Sequence, residues 1–189
     1  PNHPLVAVLG GSKLSTKLPI LHALSDKVDQ LIMGGGIANT FLKAQGYDVG
    51  QSLYEAGFVD QARAIIKKVE QRGASLPNII DVICGKKFDP NEPAILKKIN
   101  QMEADDMIFD LGPESMKGIE ATIKDAKTIL WNGPIGVFEF AQFSQGTQAL
   151  AEAIAKSNAF SLAGGGDTIS AIQMFDAEKD LSYISTAGG

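Results

Sequence analysis

Two lysines stand four residues apart just after a glycine pair, in Gly10-Gly11-Ser12-Lys13-Leu14-Ser15-Thr16-Lys17. If a helix opens near Ser15, both ammonium groups reach one crevice, where two point charges can neutralise the oxygens of a transferring phosphoryl group. A solvated pair of surface lysines is the competing reading. Cations at a helix N-terminus are unfavourable unless an anion joins them, which favours the first reading. A second group is Asp167-Thr168, directly after Gly164-Gly165-Gly166. The carboxylate can be a helix N-cap; beside phosphates it can instead ligate Mg2+, which takes one or two carboxylates plus phosphate and water oxygens. Thr168 offers a hydroxyl and a backbone N–H to a phosphate. Glu139, an acid among apolar residues in Gly136-Val137-Phe138-Glu139-Phe140, can accept from ribose hydroxyls or stand as a surface acid. Trp131 reads as core, and Cys84, His3 and His22 read as structural, so no nucleophilic triad is available. One cysteine also excludes an intrachain disulfide and a multi-cysteine metal site, which fits a reducing compartment.

Bringing these groups together requires elements that end at one place. Short apolar runs recur, and most lead straight into glycine. Residues 5–9 meet Gly10-Gly11, 31–33 meet Gly34-Gly35-Gly36, and 79–83 are followed by Cys84-Gly85. Residues 107–109 lead into Asp110-Leu111-Gly112-Pro113, 128–131 into Asn132-Gly133-Pro134, 159–163 into Gly164-Gly165-Gly166, and 182–185 into the Gly188-Gly189 end. Runs of this length without polar alternation suit strands covered on both faces. Between them, residues 55–72 place Phe58, Ala62, Ile65, Ile66 and Val69 on one helical stripe that ends at Gly73. Residues 143–157 behave likewise, with shorter helical segments over 16–28, 38–45, 114–126 and 168–175; residues 94–102 stay unassigned. The alternation predicts right-handed crossovers and one Rossmann-like, three-layer α/β domain over residues 1–189, a mainly parallel sheet with helices on both faces.

In such a sheet, ligands bind just outside the strand ends. That edge is expected to collect the glycine-rich junctions at 10–11, 34–36, 132–134, 164–166 and 188–189. Backbone without Cβ admits close approach, and the helices that follow aim free N–H groups at the same space, so a phosphate-bearing ligand is expected. Tight turns that need glycine only for geometry are the alternative. Neither a Walker A loop nor the dinucleotide G-x-G-x-x-G pattern fits any of the junctions.

Glycine is 20 of 189 residues, about one and a half times the usual ~7%. With 44% hydrophobic and 21% charged residues, the chain can bury a core. A net charge of -5 argues against a nucleic-acid surface, and no apolar stretch approaches a membrane span. Pro1 in place of Met and the stop at Gly189 lead us to expect a segment of a longer protein.

With these junctions in place, the chain resembles the phosphoglycerate kinase family, specifically its C-terminal, nucleotide-binding domain. The resemblance rests on residues 10–17, 34–41, 110–115, 131–139 and 164–168, which appear in the family's order and span nearly the whole chain. It implies reversible phosphoryl transfer between 1,3-bisphosphoglycerate and MgADP, giving 3-phosphoglycerate and MgATP, in cytoplasmic glycolysis. Carried over by position, Lys17 contacts nucleotide phosphates, while Lys13, Gly166 and Gly189 attend the transferring phosphoryl group. Asn132 holds the terminal phosphate, Asp167 ligates Mg2+ and Thr168 binds a phosphate. Glu139 takes the ribose; Gly34, Gly35, Leu53 and Val137 line the adenine slot, and Gly11, Pro134 and Gly165 complete the nucleotide contacts. The family's N-terminal domain, which holds phosphoglycerate, is absent from this sequence, as is the segment after the last glycine loop. That loop reads Ser185-Thr186-Ala187-Gly188-Gly189 here, with Ala187 where the family usually has glycine, and Ser12 replaces a common alanine. The chain alone is therefore expected to bind nucleotide as a monomer without turning over. A non-catalytic nucleotide-binding module of the same fold is the alternative.

Overall fold

A computed structural model describes residues 2–185. Five strands, β1 (Leu5–Gly10), β2 (Gln30–Gly34), β6 (Thr128–Asn132), β7 (Phe160–Gly164) and β8 (Tyr183–Ser185), form one parallel sheet in the order β2-β1-β6-β7-β8. The interior strand β1 is buried at every position. Because side chains alternate along a strand, it feeds two cores, Val6 and Val8 into one and Leu5, Ala7 and Leu9 into the other.

Helices α1 (Leu18–Ser25), α2 (Gly35–Ala44) and α3 (Val59–Gln71) seal one side through Leu21, Ile37, Phe41, Ala62, Ile65 and Val69. Helices α4 (Pro113–Asp125), α5 (Gln145–Lys156) and α6 (Gly166–Met174) seal the other through Met116, Ile119, Ile123, Leu150, Ile154 and Ile172. Helix α3 closes as the sequence suggests: Gly73 has φ +80°, its N–H donates to Glu70 O, and Ala74 N–H donates to Val69 O.

One expectation changes and one unassigned stretch is resolved. The runs at 79–83 and 107–109 do not join the parallel sheet. They become β3 (Asp81–Gly85) and β5 (Met107–Leu111), which flank no parallel neighbour but pair antiparallel around β3 with β4 (Ile95–Lys98) in the order β4-β3-β5. Val82, Cys84 and Leu111 insert into the core on the α4–α6 side, so these strands are as apolar as their parallel counterparts. The unassigned 94–102 stretch supplies β4 and a following 3-10 turn, Ile99–Gln101. The helical cover is also uneven. On the α1–α3 side it stops short of β7 and β8, where Leu162 is half-buried and Phe160 and Tyr183 are 56% and 57% exposed. A groove of about 350 Å3 opens there between Ile20 and Leu24 of α1 and Tyr183, and reaches Asn132 and Gly164 at the strand ends.

Candidate functional site

Strand register places the glycine junctions in one row. Gly10 pairs with Gly34, Leu9 with Asn132, Trp131 with Ala163, and Gly164 with Ser185, so the ends of all five parallel strands lie side by side. The sequence-predicted residues Gly11, Gly34, Gly35, Asn132, Gly165, Gly166, Asp167 and Thr168 all stand on this edge. Gly188 and Gly189 lie outside the described residues.

The edge is stitched by polar groups. Lys17 closes a 3-10 turn, Ser15–Lys17, and sits at the N-cap of α1. Its Nζ donates to Asn132 Oδ1 at 2.6 Å, and Asn132 Nδ2 donates to Gly164 O at 3.2 Å. One lysine and one asparagine thus tie the ends of β1, β6 and β7. Lys13 is exposed, and among the described residues its ammonium has no ion pair. At the start of α6 the N-cap is Gly165, not Asp167, so the carboxylate does not cap the helix; it stands exposed in the first turn without a partner among the described residues. Thr168 is buried, and its Oγ accepts from Gly133 N–H at 2.6 Å. The N–H groups of α6's first turn precede any carbonyl of their own helix, and among the described residues Ile169 N–H is the first satisfied, by Gly165 O.

Some of these glycines are required by the protein's own packing. At Gly10 and Gly34 the place a Cβ would take is filled by the backbone of Gly133, Pro134 and Ile135. The loop after β6 folds across the ends of β1 and β2, with Gly133 at φ +111° and Gly35 N–H donating to Ile135 O at 3.0 Å. Packing alone requires glycine at these two positions, and the Gly35 N–H is spent inside the protein. At Gly166, by contrast, no atom of the described residues lies within 4 Å of an added Cβ.

Residues 133–139 are braced from below. Val137 N–H donates to Phe109 O, and Ile135 and Gly136 N–H both donate to the Thr147 hydroxyl on α5. Asp110, 1% exposed, accepts from Gly146 N–H at 2.9 Å and from its neighbour Leu111 N–H. Burial pushes its carboxyl up to about 7, against those two bonds, which favour the anion. Phe138 is buried while Glu139 stays exposed and Val137 half-exposed. Leu53, 57% exposed, is fixed to α2 by Asn39 Nδ2, which donates to its carbonyl. Sequence reasoning missed Asp110, Thr147, Asn39 and the pair Ser15–Glu55, whose partners are far apart in sequence and carry no spacing pattern.

The remaining candidates resolve as structural. Trp131 is buried with its indole N–H donating to Gly133 O. Burial raises the Cys84 thiol to about 12, which makes it inert as a nucleophile. A carboxylate group away from the edge, Glu103, Asp105 and Asp106, could hold a cation by geometry, but Lys86 and Lys97 already occupy it with ion pairs of 2.7–3.1 Å. Among the described residues no helix is long and apolar enough to cross a membrane.

The family model for phosphoglycerate kinase matches residues 1–189. The chain belongs to the phosphoglycerate kinase family. It is 56% identical over 189 residues to phosphoglycerate kinase from Francisella tularensis subsp. tularensis, and 56% identical to that of subsp. novicida, covering all of this chain and 48% of each relative. Among solved structures, phosphoglycerate kinase from Coxiella burnetii matches with TM-score 0.97 and 51% identity over all of this chain and 49% of its own. The enzyme from Pyrococcus horikoshii matches with TM-score 0.84 and 27% identity over 99% of this chain and 47% of its own. The chain spans about half the length of the phosphoglycerate kinases it matches.

Proposed function

We propose that this chain is the nucleotide-binding, C-terminal lobe of a phosphoglycerate kinase, which passes a phosphoryl group reversibly between 1,3-bisphosphoglycerate and ADP. The observation that carries the reading is the Lys17–Asn132–Gly164 tie, set beside the open N-terminal turn of α6 on one sheet edge. An ammonium, a carboxamide and free helix N–H groups converge where a polyphosphate needs them, and phosphoryl transfer asks mainly for positioning and charge neutralisation. Lys17 and Thr168 hold nucleotide phosphates, and Asn132 the terminal one. Lys13, exposed and without an ion pair among the described residues, follows the transferring group, together with Gly166 and Gly189. Leu53, Val137, Gly34 and Gly35 flank the base, Glu139 accepts from the ribose, and Gly11, Pro134 and Gly165 supply backbone surface.

A lone exposed carboxylate fits Mg2+ delivered with phosphate oxygens, and does not fit a cage built of protein alone. Asp167 would hold it, and the ion would supply charge neutralisation on the phosphates. Phosphoglycerate is held by the other half of the longer protein, so the lobe binds nucleotide without turnover, as a cytoplasmic monomer.

Titration calorimetry with ADP, with and without magnesium, tests the reading. Asp167→Ala should abolish most of the magnesium dependence, about tenfold or more in affinity, while adenosine binding stays unchanged. Equal magnesium dependence in variant and parent would remove Asp167 from its role.

A further inference from the structure

The lysine turn has an unexpected anchor. Ser15–Lys17 is a single 3-10 turn whose N-cap, Leu14, offers no side chain to the turn's free donors. An isolated turn of this length does not hold its own geometry. Glu55, forty residues away, supplies what is missing: Oε1 accepts from Ser15 N–H at 2.9 Å and Oε2 from Ser15 Oγ–H at 2.7 Å. Burial works to raise the Glu55 carboxyl, yet the Ser15 hydroxyl and amide, with Leu14 N–H, hold it below the ordinary range, and the nearby Lys13 charge acts in the same sense.

Glu55 is itself fixed from the other side. Its N–H donates to Thr40 Oγ at 3.0 Å, and Thr40 in turn donates to Gly36 O, in the first turn of α2. Two residues earlier, Leu53 is held by Asn39 of the same helix. The segment 53–55 therefore bridges α2 and the turn from which Lys17 reaches Asn132.

We infer that Glu55 is a positioning residue: through Ser15 it sets where the Lys17 ammonium stands on the phosphate-binding edge, and it couples that setting to the Leu53 wall. This rests on the nucleotide reading above. The carboxylate never meets the ligand; it fixes the turn, and the turn aims the lysine. Its removal should harm recognition of phosphates and spare recognition of the nucleoside, because the Asn39–Leu53 bond uses backbone at Leu53.

The test compares ADP and adenosine binding by calorimetry in the parent, Glu55→Ala, Glu55→Gln and Lys17→Ala proteins. It also follows the Asn132 side-chain amide resonance without ligand. Glu55→Ala should weaken ADP about tenfold, leave adenosine within about twofold and shift the Asn132 resonance. Glu55→Gln should restore both, since its carbonyl can accept from Ser15 N–H and its amide can donate to Ser15 Oγ. Adding Glu55→Ala to Lys17→Ala should cost nothing further. Equal losses for ADP and adenosine, or an unmoved Asn132 resonance, would overturn the inference. A parent that binds neither ligand would overturn the nucleotide reading instead, and the Asn132 resonance would then decide the positioning alone.

Discussion

The Asp110 carboxyl is the one described acid that the fold holds well above its ordinary range, and the cause is burial. Its hydrogen-bond partners are the amides of Gly146 and Leu111. A folded pKa near 7 against an ordinary value of 3.8 means that the folded state holds the proton more tightly. The contribution to stability is therefore fully present below pH ~4 and is lost as pH rises through 7. Asp110→Asn removes this titration. Between pH 4 and 8 the stability difference should shift in the variant's favour, by a few kcal/mol at about 1.4 kcal/mol per unit. Denaturant melts across that range would show it; parallel pH profiles for parent and variant would refute it. The ion pairs of Glu103, Asp105 and Asp106 act in the opposite sense. Lysine bonding holds the carboxyls of Glu103 and Asp105 low, and at Asp106 bonding to Lys86, Lys97 and the Glu103 amide overcomes burial. Their share of stability is present above ordinary carboxylate pKa values and is lost in acid.

At the scale of elements, the loop of residues 133–139 depends on donors and acceptors beneath it. Thr147→Val keeps the volume but strands the Ile135 and Gly136 N–H groups, which should cost about 1–3 kcal/mol in thermal unfolding. Gly34→Ala should cost at least as much, about 1–3 kcal/mol or more, since the added methyl meets Pro134 and Ile135 backbone that cannot swing aside. A variant as stable as the parent would mean the loop has slack. The parallel strands were legible because the apolar runs of β1, β2, β6 and β7 break at glycine or asparagine on the same edge. The membership of β3 and β5 was not, because a strand buried against a core reads the same whether its neighbour runs with it or against it. Strand β4 was hidden for the converse reason: Ile95 and Leu96 are 40% and 58% exposed, and an edge strand leaves no burial signature. In the site, Lys17 and the α6 turn could be picked out by residue type and Asn132 through the family resemblance, whereas Glu55 and Asp110 act through partners that only folding brings near.

Over the whole molecule, two cores share one sheet. Ile65 and Ile119 lie fully buried on opposite sides of it. Truncating either to alanine should cost about 2–5 kcal/mol, and both should lower a single calorimetric transition, because β1 belongs to both cores. Two separable transitions would show that the sides fold independently. The crossing of the 133–135 backbone over Gly10 and Gly34 binds these halves at the edge as well. Main chain rests on main chain there, with no side chain between to repack. If the proposed nucleotide reading holds, any change of base preference falls to the outward groups at 53 and 137; the floor beneath them has no room in which to be redrawn.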